Sequence, residues 1–319
     1  MEETAYHIPA MLTETIAGLD IKPDGVYVDA TFGGGGHSRA IMAKLGEKGR
    51  LYSFDQDMDA YENELKDEGE GKRLHGEGEQ LNGDGGGLHT DARWHFVHSN
   101  FRYLPQWMDY YGIEQVDGIL ADLGVSFHHF DSPERGFSFR FSAPLDMRMN
   151  TQQKMTAADV VNGYDEESLA RVLYLYGELK NGKALARQIC KQRATAPILR
   201  TEQLAEFVKD KKDAAKLFQA LRIEVNDEMG ALRDLLTGAK ELLRPGGRIV
   251  ILTYHSLEDR LVKNFLRAGN LEGEIEKDFY GNAVTPFKVI EKGLTASEEE
   301  VARNPRSRSA KLRVGCKEG

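Results

Sequence analysis

Four consecutive glycines lie between a short apolar segment and a predicted helix, in the stretch VYVDATFGGGGHS at residues 26–38. Asp29 precedes the glycines, and a second apolar segment, residues 51–54, runs into Asp55. A backbone without Cβ atoms lets a ligand approach closely, and a carboxylate ending the next strand can bind both hydroxyls of a ribose. This arrangement predicts the nucleotide-binding half of a doubly wound α/β fold.

The glycine run does not match the dinucleotide-binding pattern G-x-G-x-x-G. When the pattern starts at either of the first two glycines, its final glycine falls on Ser38 or Arg39. A nicotinamide-dependent oxidoreductase is therefore disfavoured, and a plain structural turn remains an alternative. Because Asp29 and Asp55 place carboxylates on both sides of the glycines, we favour a nucleoside ligand.

The length and composition indicate a globular protein. The chain has 319 residues, enough for one large domain or two ordinary ones. It has no run of about 18 apolar residues that would predict a membrane span, and its first residues lack the pattern of a signal peptide. The two cysteines, Cys190 and Cys316, match no metal-ligand spacing. We therefore expect a reduced, cytoplasmic protein with no bound metal and no membrane partner.

The net charge of −9 is unevenly distributed. Residues 62–91 contain nine acidic residues, three basic ones and eight glycines, which leaves a charge of −3 for the rest of the chain. This composition, with few apolar residues, predicts a flexible insertion. The overall acidity therefore does not exclude a nucleic-acid partner.

Strand and helix signals divide the chain into an α/β part and a helical part. Five further apolar segments are typical of strands: residues 94–97, 116–122, 248–254, 287–290 and 310–316. The last two are expected to form a hairpin at the sheet edge. Residues 126–221 instead carry helical spacing. We therefore expect an α/β domain built from residues 1–125 and 222–319, with an inserted all-helical domain over residues 126–221.

Four side chains able to do chemistry lie at the ends of predicted strands. They are Asp29, Asp55, Asp122 and His255. In an open α/β sheet, ligands bind outside the carboxyl ends of the strands. One strand-end aspartate is about as often a helix cap or a turn residue. Four such residues at one edge predict a single functional cleft.

Eight blocks of the sequence resemble, in order and nearly from end to end, those of the ribosomal RNA small-subunit methyltransferase H family. They are residues 6–9, 29–38, 117–126, 134–139, 144–149, 218–223, 255–260 and 304–313. That family transfers a methyl group from S-adenosylmethionine to N4 of a cytosine in small-subunit (16S) rRNA. The resemblance implies a class I S-adenosylmethionine-dependent methyltransferase fold, Rossmann-like, with an inserted helical substrate-recognition domain. It also implies small-subunit rRNA, within the ribosomal subunit, as the partner.

By the same resemblance, seven residues would bind S-adenosylmethionine. They are Gly35, Gly36, His37, Asp55, Phe101, Asp122 and His129. Asp55 would hold the ribose, and Phe101 would lie against the adenine. The family more often has glutamine at position 129, and a histidine there can also donate a hydrogen bond.

Two strand-end residues are candidates for the chemical step. The cytosine amine must be aligned with the sulfonium methyl and must lose a proton as the new bond forms. Asp122 is the first candidate, for orienting the amine or the cofactor, and His255 is the second, as proton acceptor. A purely cofactor-binding Asp122 and a structural His255 remain alternatives. The sulfonium carries an already activated methyl group, so no metal is required.

Residues 303–313 hold five basic residues and no acidic one. This predicts either contact with phosphates or a solvated edge strand protected by charge.

Two other functions also stay open. A DNA N4-cytosine methyltransferase is expected to have a Ser/Asp-Pro-Pro-Tyr block where residues 122–125 read DLGV. A non-catalytic ribosome-assembly factor would bind RNA without using S-adenosylmethionine.

Overall fold

The computed structural model describes residues 9–60, 91–125 and 132–319. The chain divides into two compact units, the first formed by Met1–Gly124 with Ala231–Gly319 and the second by Val125–Gly230. Two sequence predictions fall outside the described residues. They are the insertion at residues 62–91, apart from Asp91, and the ligand residue His129.

The first unit is built on a seven-stranded sheet. The strands of the described chain are β1 (Val26–Asp29), β2 (Arg50–Asp55), β3 (Trp94–His98), β4 (Val116–Asp122), β5 (Leu243–Thr253), β6 (Glu276–Lys277), β7 (Ala283–Val284), β8 (Phe287–Thr295) and β9 (Lys311–Lys317). The sheet order is β3-β2-β1-β4-β5-β9-β8, and β6 and β7 pair separately. All five predicted apolar strands are confirmed.

The direction of the chain across the sheet reverses between β1 and β4. Strands β1 to β5 run parallel, and β1 pairs with β2 on one side and with β4 on the other. Such a switch point opens a crevice at the carboxyl ends of the strands. Asp29, Asp55 and Asp122 end the three strands nearest to it. The predicted Rossmann-like, doubly wound α/β fold is therefore confirmed.

Helices cover both faces of this sheet. The helices of the described chain are α1 (Leu12–Leu19), α2 (Gly36–Met42), α3 (Leu104–Tyr110), α4 (Ala157–Gly163), α5 (Glu166–Leu175), α6 (Gly182–Arg193), α7 (Thr201–Ala205), α8 (Lys211–Asn226), α9 (Glu228–Leu242), α10 (Ser256–Ala268) and α11 (Glu298–Arg303). A Cβ at Gly18 of α1 would lie 2.9 Å from Val314, whereas a Cβ at Gly315 would lie 2.6 Å from Leu266 of α10. Since successive strand residues point to opposite faces, α1 and α10 pack on opposite sides of β9.

The basic C-terminal segment is partly built into the sheet. Strand β9 lies between β5 and β8, antiparallel to both, so it is not the edge strand that the sequence suggested. Arg313 is buried, and its Nε donates to Asp259 at 2.7 Å. The same carboxylate accepts from Lys311 at 3.3 Å. These two cations are therefore structural, and phosphate contact stays a prediction for the exposed Arg306 and Arg308.

The second unit is helical, from α4 to α8. The helices turn their apolar sides inward and bury residues such as Val160, Leu173, Ile189 and Leu217 in one core. The predicted return to the first domain at residue 222 differs from the observed boundary at Gly230. The physical reason is that α8 continues without a break past this point and buries its apolar face in the same core. None of the helices within the described ranges has the length and apolar character needed to cross a bilayer.

Candidate active site

The loop between β1 and α2 turns at two glycines with positive φ, Gly33 at 54° and Gly35 at 72°. A Cβ at Gly35 would lie 2.9 Å from the ring of Phe32, so this position is closed to side chains. A Cβ at Gly33 would meet no atom of the described residues within 4 Å, so the loop faces open space there. The glycines thus form a tight turn whose backbone can be approached from one side.

Asp55 is held in one orientation at the end of β2. Its Oδ2 accepts a 2.9 Å hydrogen bond from the backbone N–H of Gly33, and its Oδ1 accepts one of 2.9 Å from Asp57. A carboxylate has about four lone-pair sites, so this half-buried group can also accept hydrogen bonds from a ligand. The arrangement suits the two hydroxyls of a ribose.

Asp29 lies beneath the loop, fully buried, and supports it from below. Trp94 Nε1 donates to Ser53 Oγ at 2.8 Å, the Ser53 and Ser38 hydroxyls lie 2.7 Å apart, and Ser38 Oγ donates to Asp29 Oδ2 at 2.7 Å. Because an indole can only donate, the chain of hydrogen bonds runs from Trp94 towards the carboxylate. Burial raises the pKa of Asp29 to about 6. Of the four strand-end residues, Asp29 is thus the one that the structure places below the cleft.

His37 is a buried neutral imidazole. Its Nε2 lies 3.2 Å from the carbonyl oxygen of Ala10, which can only accept, so Nε2 carries the proton. Burial lowers the pKa of His37 below its usual value, which leaves Nδ1 with a lone pair. That atom lies 3.8 Å from Oδ2 of Asp122. His37 therefore lines the same end of the sheet as Asp122 without a direct hydrogen bond to it.

Asp122, at the end of β4, is the most perturbed acid of this group. Burial raises the pKa of Asp122 to about 7, even though the hydroxyl of Tyr254 donates to its Oδ1 at 2.7 Å and stabilises the carboxylate. Its backbone N–H donates to Thr31 Oγ1 at 2.6 Å. The Asp122 side chain remains 22% exposed, so it can meet a ligand. Sequence reasoning missed Tyr254 as a site residue, although its position just before His255 at the same strand end was a usable signal.

His255 has a structural role at the start of α10. Its side chain and that of Glu258 form a reciprocal cap of this helix, and its Nε2 lies 3.1 Å from Glu258 Oε1. Glu258 is buried and also accepts from the backbone N–H of Tyr254 at 2.8 Å. These contacts favour the structural alternative for His255 over a role as proton acceptor.

Phe101 begins a short 3₁₀ turn after β3. The side chain of Asn100 accepts from the backbone of Arg102 at 3.0 Å and donates to Gln56 at 2.9 Å, which ties this turn to the loop after Asp55. The half-buried Phe101 ring therefore lies on the loop next to the proposed ribose ligand.

The described candidates converge on one end of the sheet. Gly35, Gly36 and His37 follow β1, and Asp55, Phe101 and Asp122 lie at the ends of the neighbouring strands. An open glycine turn, an oriented carboxylate and a half-buried ring fit the nucleoside part of S-adenosylmethionine. The individual ligand contacts of these residues stay predictions.

Comparison with known proteins identifies the family. The model of the MraW methylase family matches residues 4–74 and 87–318. The chain is 54% identical to the ribosomal RNA small subunit methyltransferase H of Phocaeicola vulgatus over 98% of its own length and 97% of that protein's. It is 53% identical to the protein of the same name from Parabacteroides distasonis, over 99% of both chains. On a match of this extent, the chain belongs to the MraW methylase family.

Proposed function

We propose that this methyltransferase transfers a methyl group from S-adenosylmethionine to N4 of a cytosine in small-subunit rRNA. The similarity to the small-subunit methyltransferases and the chemistry of Asp122 support the proposal. The observation that carries it is the carboxyl group of Asp122, which lies partly exposed at the end of β4 and accepts a 2.7 Å hydrogen bond from Tyr254, while burial raises its pKa to about 7. Such a group can accept a hydrogen bond from an amine and exchange its proton near neutral pH.

The residues at the carboxyl end of the sheet would divide the binding work. Asp55 would accept hydrogen bonds from the ribose hydroxyls, Phe101 would lie against the adenine, and the turn at Gly35 would let the backbone come close. S-adenosylmethionine supplies, when bound, a methyl group already activated by its sulfonium. The protein then has to exclude water, align the amine and handle one proton.

Asp122 would do the last two of these tasks. The N4 lone pair of cytosine is delocalised into the ring, so the amine is a weak nucleophile until its geometry changes. An ionised Asp122 can accept a hydrogen bond from N4–H and turn the lone pair towards the methyl carbon. As the N–C bond forms and the C–S bond breaks, N4 releases one proton, which Asp122 can take. His255 is less suited to this role, because Glu258 and the helix cap already engage its side chain.

The proposed substrate indicates where in the cell the reaction takes place and which role the second unit has. We infer that the enzyme acts in the cytoplasm, where small ribosomal subunits are assembled, and that the helical unit Val125–Gly230 recognises the RNA.

Methyl transfer to small ribosomal subunits that lack N4-cytosine methylation tests the proposal. The assay uses labelled S-adenosylmethionine, the wild type, Asp122→Asn and the matched control Asp109→Asn, which removes an exposed carboxylate from α3. We expect label on one rRNA cytosine with the wild type and the control, and a loss of at least about 100-fold with Asp122→Asn, the scale of one general acid–base group.

Each other outcome has a clear meaning. If the protein binds the cofactor and methylates DNA but not RNA, its function is that of a DNA N4-cytosine methyltransferase. If the protein binds RNA but not the cofactor, it is a non-catalytic ribosome-assembly factor. Full activity of Asp122→Asn would remove this residue from the chemical step.

A further inference from the structure

The second unit contains a segment of unusual charge for this acidic chain. Residues 179–201 include six basic residues and no acidic one, although the whole chain carries −9. The segment covers α6 and the residues on either side of it.

Two of these six cations serve the structure of the unit. Arg193 donates to the backbone carbonyls of Val161 and Tyr164. Arg200 donates to the Ser142 hydroxyl, from its Nε at 3.1 Å. Both side chains are therefore engaged within the unit, although that of Arg200 is 47% exposed.

Three of the remaining cations form a line on α6, which we term the basic stripe: Lys183, Arg187 and Lys191. All three are exposed, whereas the opposite side of the helix buries residues such as Leu185 and Ile189. Because residues four apart lie on one face of a helix and rise about 6 Å, the stripe is a regular row of positive charges. This spacing is comparable with that of successive phosphates along a nucleic-acid strand.

The stripe costs the helix stability. Like charges four residues apart destabilise a helix by about 0.2–0.5 kcal/mol per pair, and solvated helices usually alternate the sign of their charges. Arg187 forms an ion pair with Glu166 of α5 at 3.3 Å, and both of these side chains are largely exposed. Within the described part of the chain, Lys183 and Lys191 have no ion pair. An anionic ligand would offset this repulsion.

An exposed aromatic residue belongs to α5, the helix whose end packs against the start of α6. Tyr174, near the end of α5, is 64% exposed. A Cβ at Gly182, the residue before Lys183, would lie 3.3 Å from the Tyr174 backbone nitrogen. A line of cations beside an exposed aromatic ring is the combination that binds single-stranded nucleic acid, through phosphates and base stacking.

We propose that the basic stripe, together with Tyr174, binds the backbone and one base of a single-stranded stretch of the substrate RNA. This inference rests on the proposed function and adds the surface by which the second unit holds its substrate. The stripe supplies affinity that is independent of base sequence, because its contacts are to phosphates.

Binding of protein-free small-subunit rRNA across a range of salt concentrations tests the inference. The variant is the triple substitution Lys183→Gln, Arg187→Gln and Lys191→Gln, which keeps strong helix formers in α6. Three lost contacts to a single strand should lower the salt slope by about 2 and raise Kd about 100-fold at roughly 0.1 M salt. Since repulsion within α6 is also relieved, the melting temperature should stay equal or rise.

A matched control separates the stripe from net charge. Lys44→Gln, Lys48→Gln and Lys288→Gln together remove three exposed cations of the first unit. We expect the control to bind RNA almost as the wild type does. Equal losses in both triple variants would overturn the inference, because net charge alone would explain them. Unchanged RNA binding by the stripe variant would overturn it as well.

Tyr174→Ala gives an independent test of stacking. Loss of one stacked base should weaken RNA binding by about tenfold without changing the salt slope; an unchanged Kd would remove the aromatic part of the inference. If the wild type transfers no methyl group to rRNA while the stripe variant still loses RNA affinity, the proposed function fails and the binding surface stands.

Discussion

Removing the Tyr254 hydroxyl should move the pH dependence of methyl transfer. In the wild type this hydroxyl donates a 2.7 Å hydrogen bond to Asp122, which stabilises the charged form of the carboxyl and holds its pKa at about 7 against burial. Burial also raises the pKa of Tyr254 well above its usual value, so the hydroxyl keeps its proton throughout the working range. Tyr254→Phe removes this donor and little else, and the pKa of Asp122 must rise.

The magnitude follows from the hydrogen bond. A bond to a charged group contributes about 1.5–3 kcal/mol, which corresponds to about 1–2 pKa units. At pH 7 the ionised fraction of Asp122 should fall from about one half to about 1–10%. If the ionised form is the reactive one, the rate at pH 7 should fall about 5- to 50-fold and should recover as the pH approaches 9.

The assay is the pH profile of kcat/KM for rRNA methylation, measured for the wild type, Tyr254→Phe and Tyr52→Phe. The last variant removes the hydroxyl of Tyr52, a buried tyrosine of β2, and should leave the acidic limb in place. An acidic limb at the same pH in Tyr254→Phe and the wild type would refute the reasoning. So would a loss of activity of the same size at every pH, because that result indicates misfolding or misplacement and not a changed protonation.

Three further outcomes are expected. Asp55→Asn should weaken S-adenosylmethionine binding about 10- to 100-fold in calorimetric titration, because it removes a charged acceptor; unchanged affinity would exclude Asp55 as the ribose ligand. Gly35→Ala should lower the free energy of unfolding in urea by about 1–2 kcal/mol, since a φ of 72° strains any residue with a Cβ; unchanged stability would contradict this turn. Arg313→Leu should lower the free energy of unfolding by about 3 kcal/mol, because it leaves the partly buried Asp259 with a weaker partner. Adding Asp259→Asn should recover part of that loss, and strictly additive losses would exclude the pairing.

Local sequence patterns predicted much of the fold. The apolar segments ending in Asp55 and Asp122 form strands because buried parallel strands need continuous apolar side chains. The helices between residues 157 and 221 were also predicted from apolar spacing alone, whereas the described residues 132–156, which belong to the predicted helical range, contain no α-helix. The extent of α8 could not be predicted, because no glycine or proline near residue 222 marks the change of unit. Only the packing of the apolar face of α8 decides where the second unit ends.

The sequence by itself determined the glycine turn, the strand-end carboxylates and the resemblance to a methyltransferase family, because each depends on residues that are close together along the chain. Only the tertiary structure decided which acid lies beneath the site and which faces it. It also decided that Arg313 is an interior ion-pair partner and that three cations of α6 share one exposed face. Asp122 shows the physical reason. Its protonation depends on burial and on a tyrosine 132 residues away, and neither can be read from its neighbours in the chain.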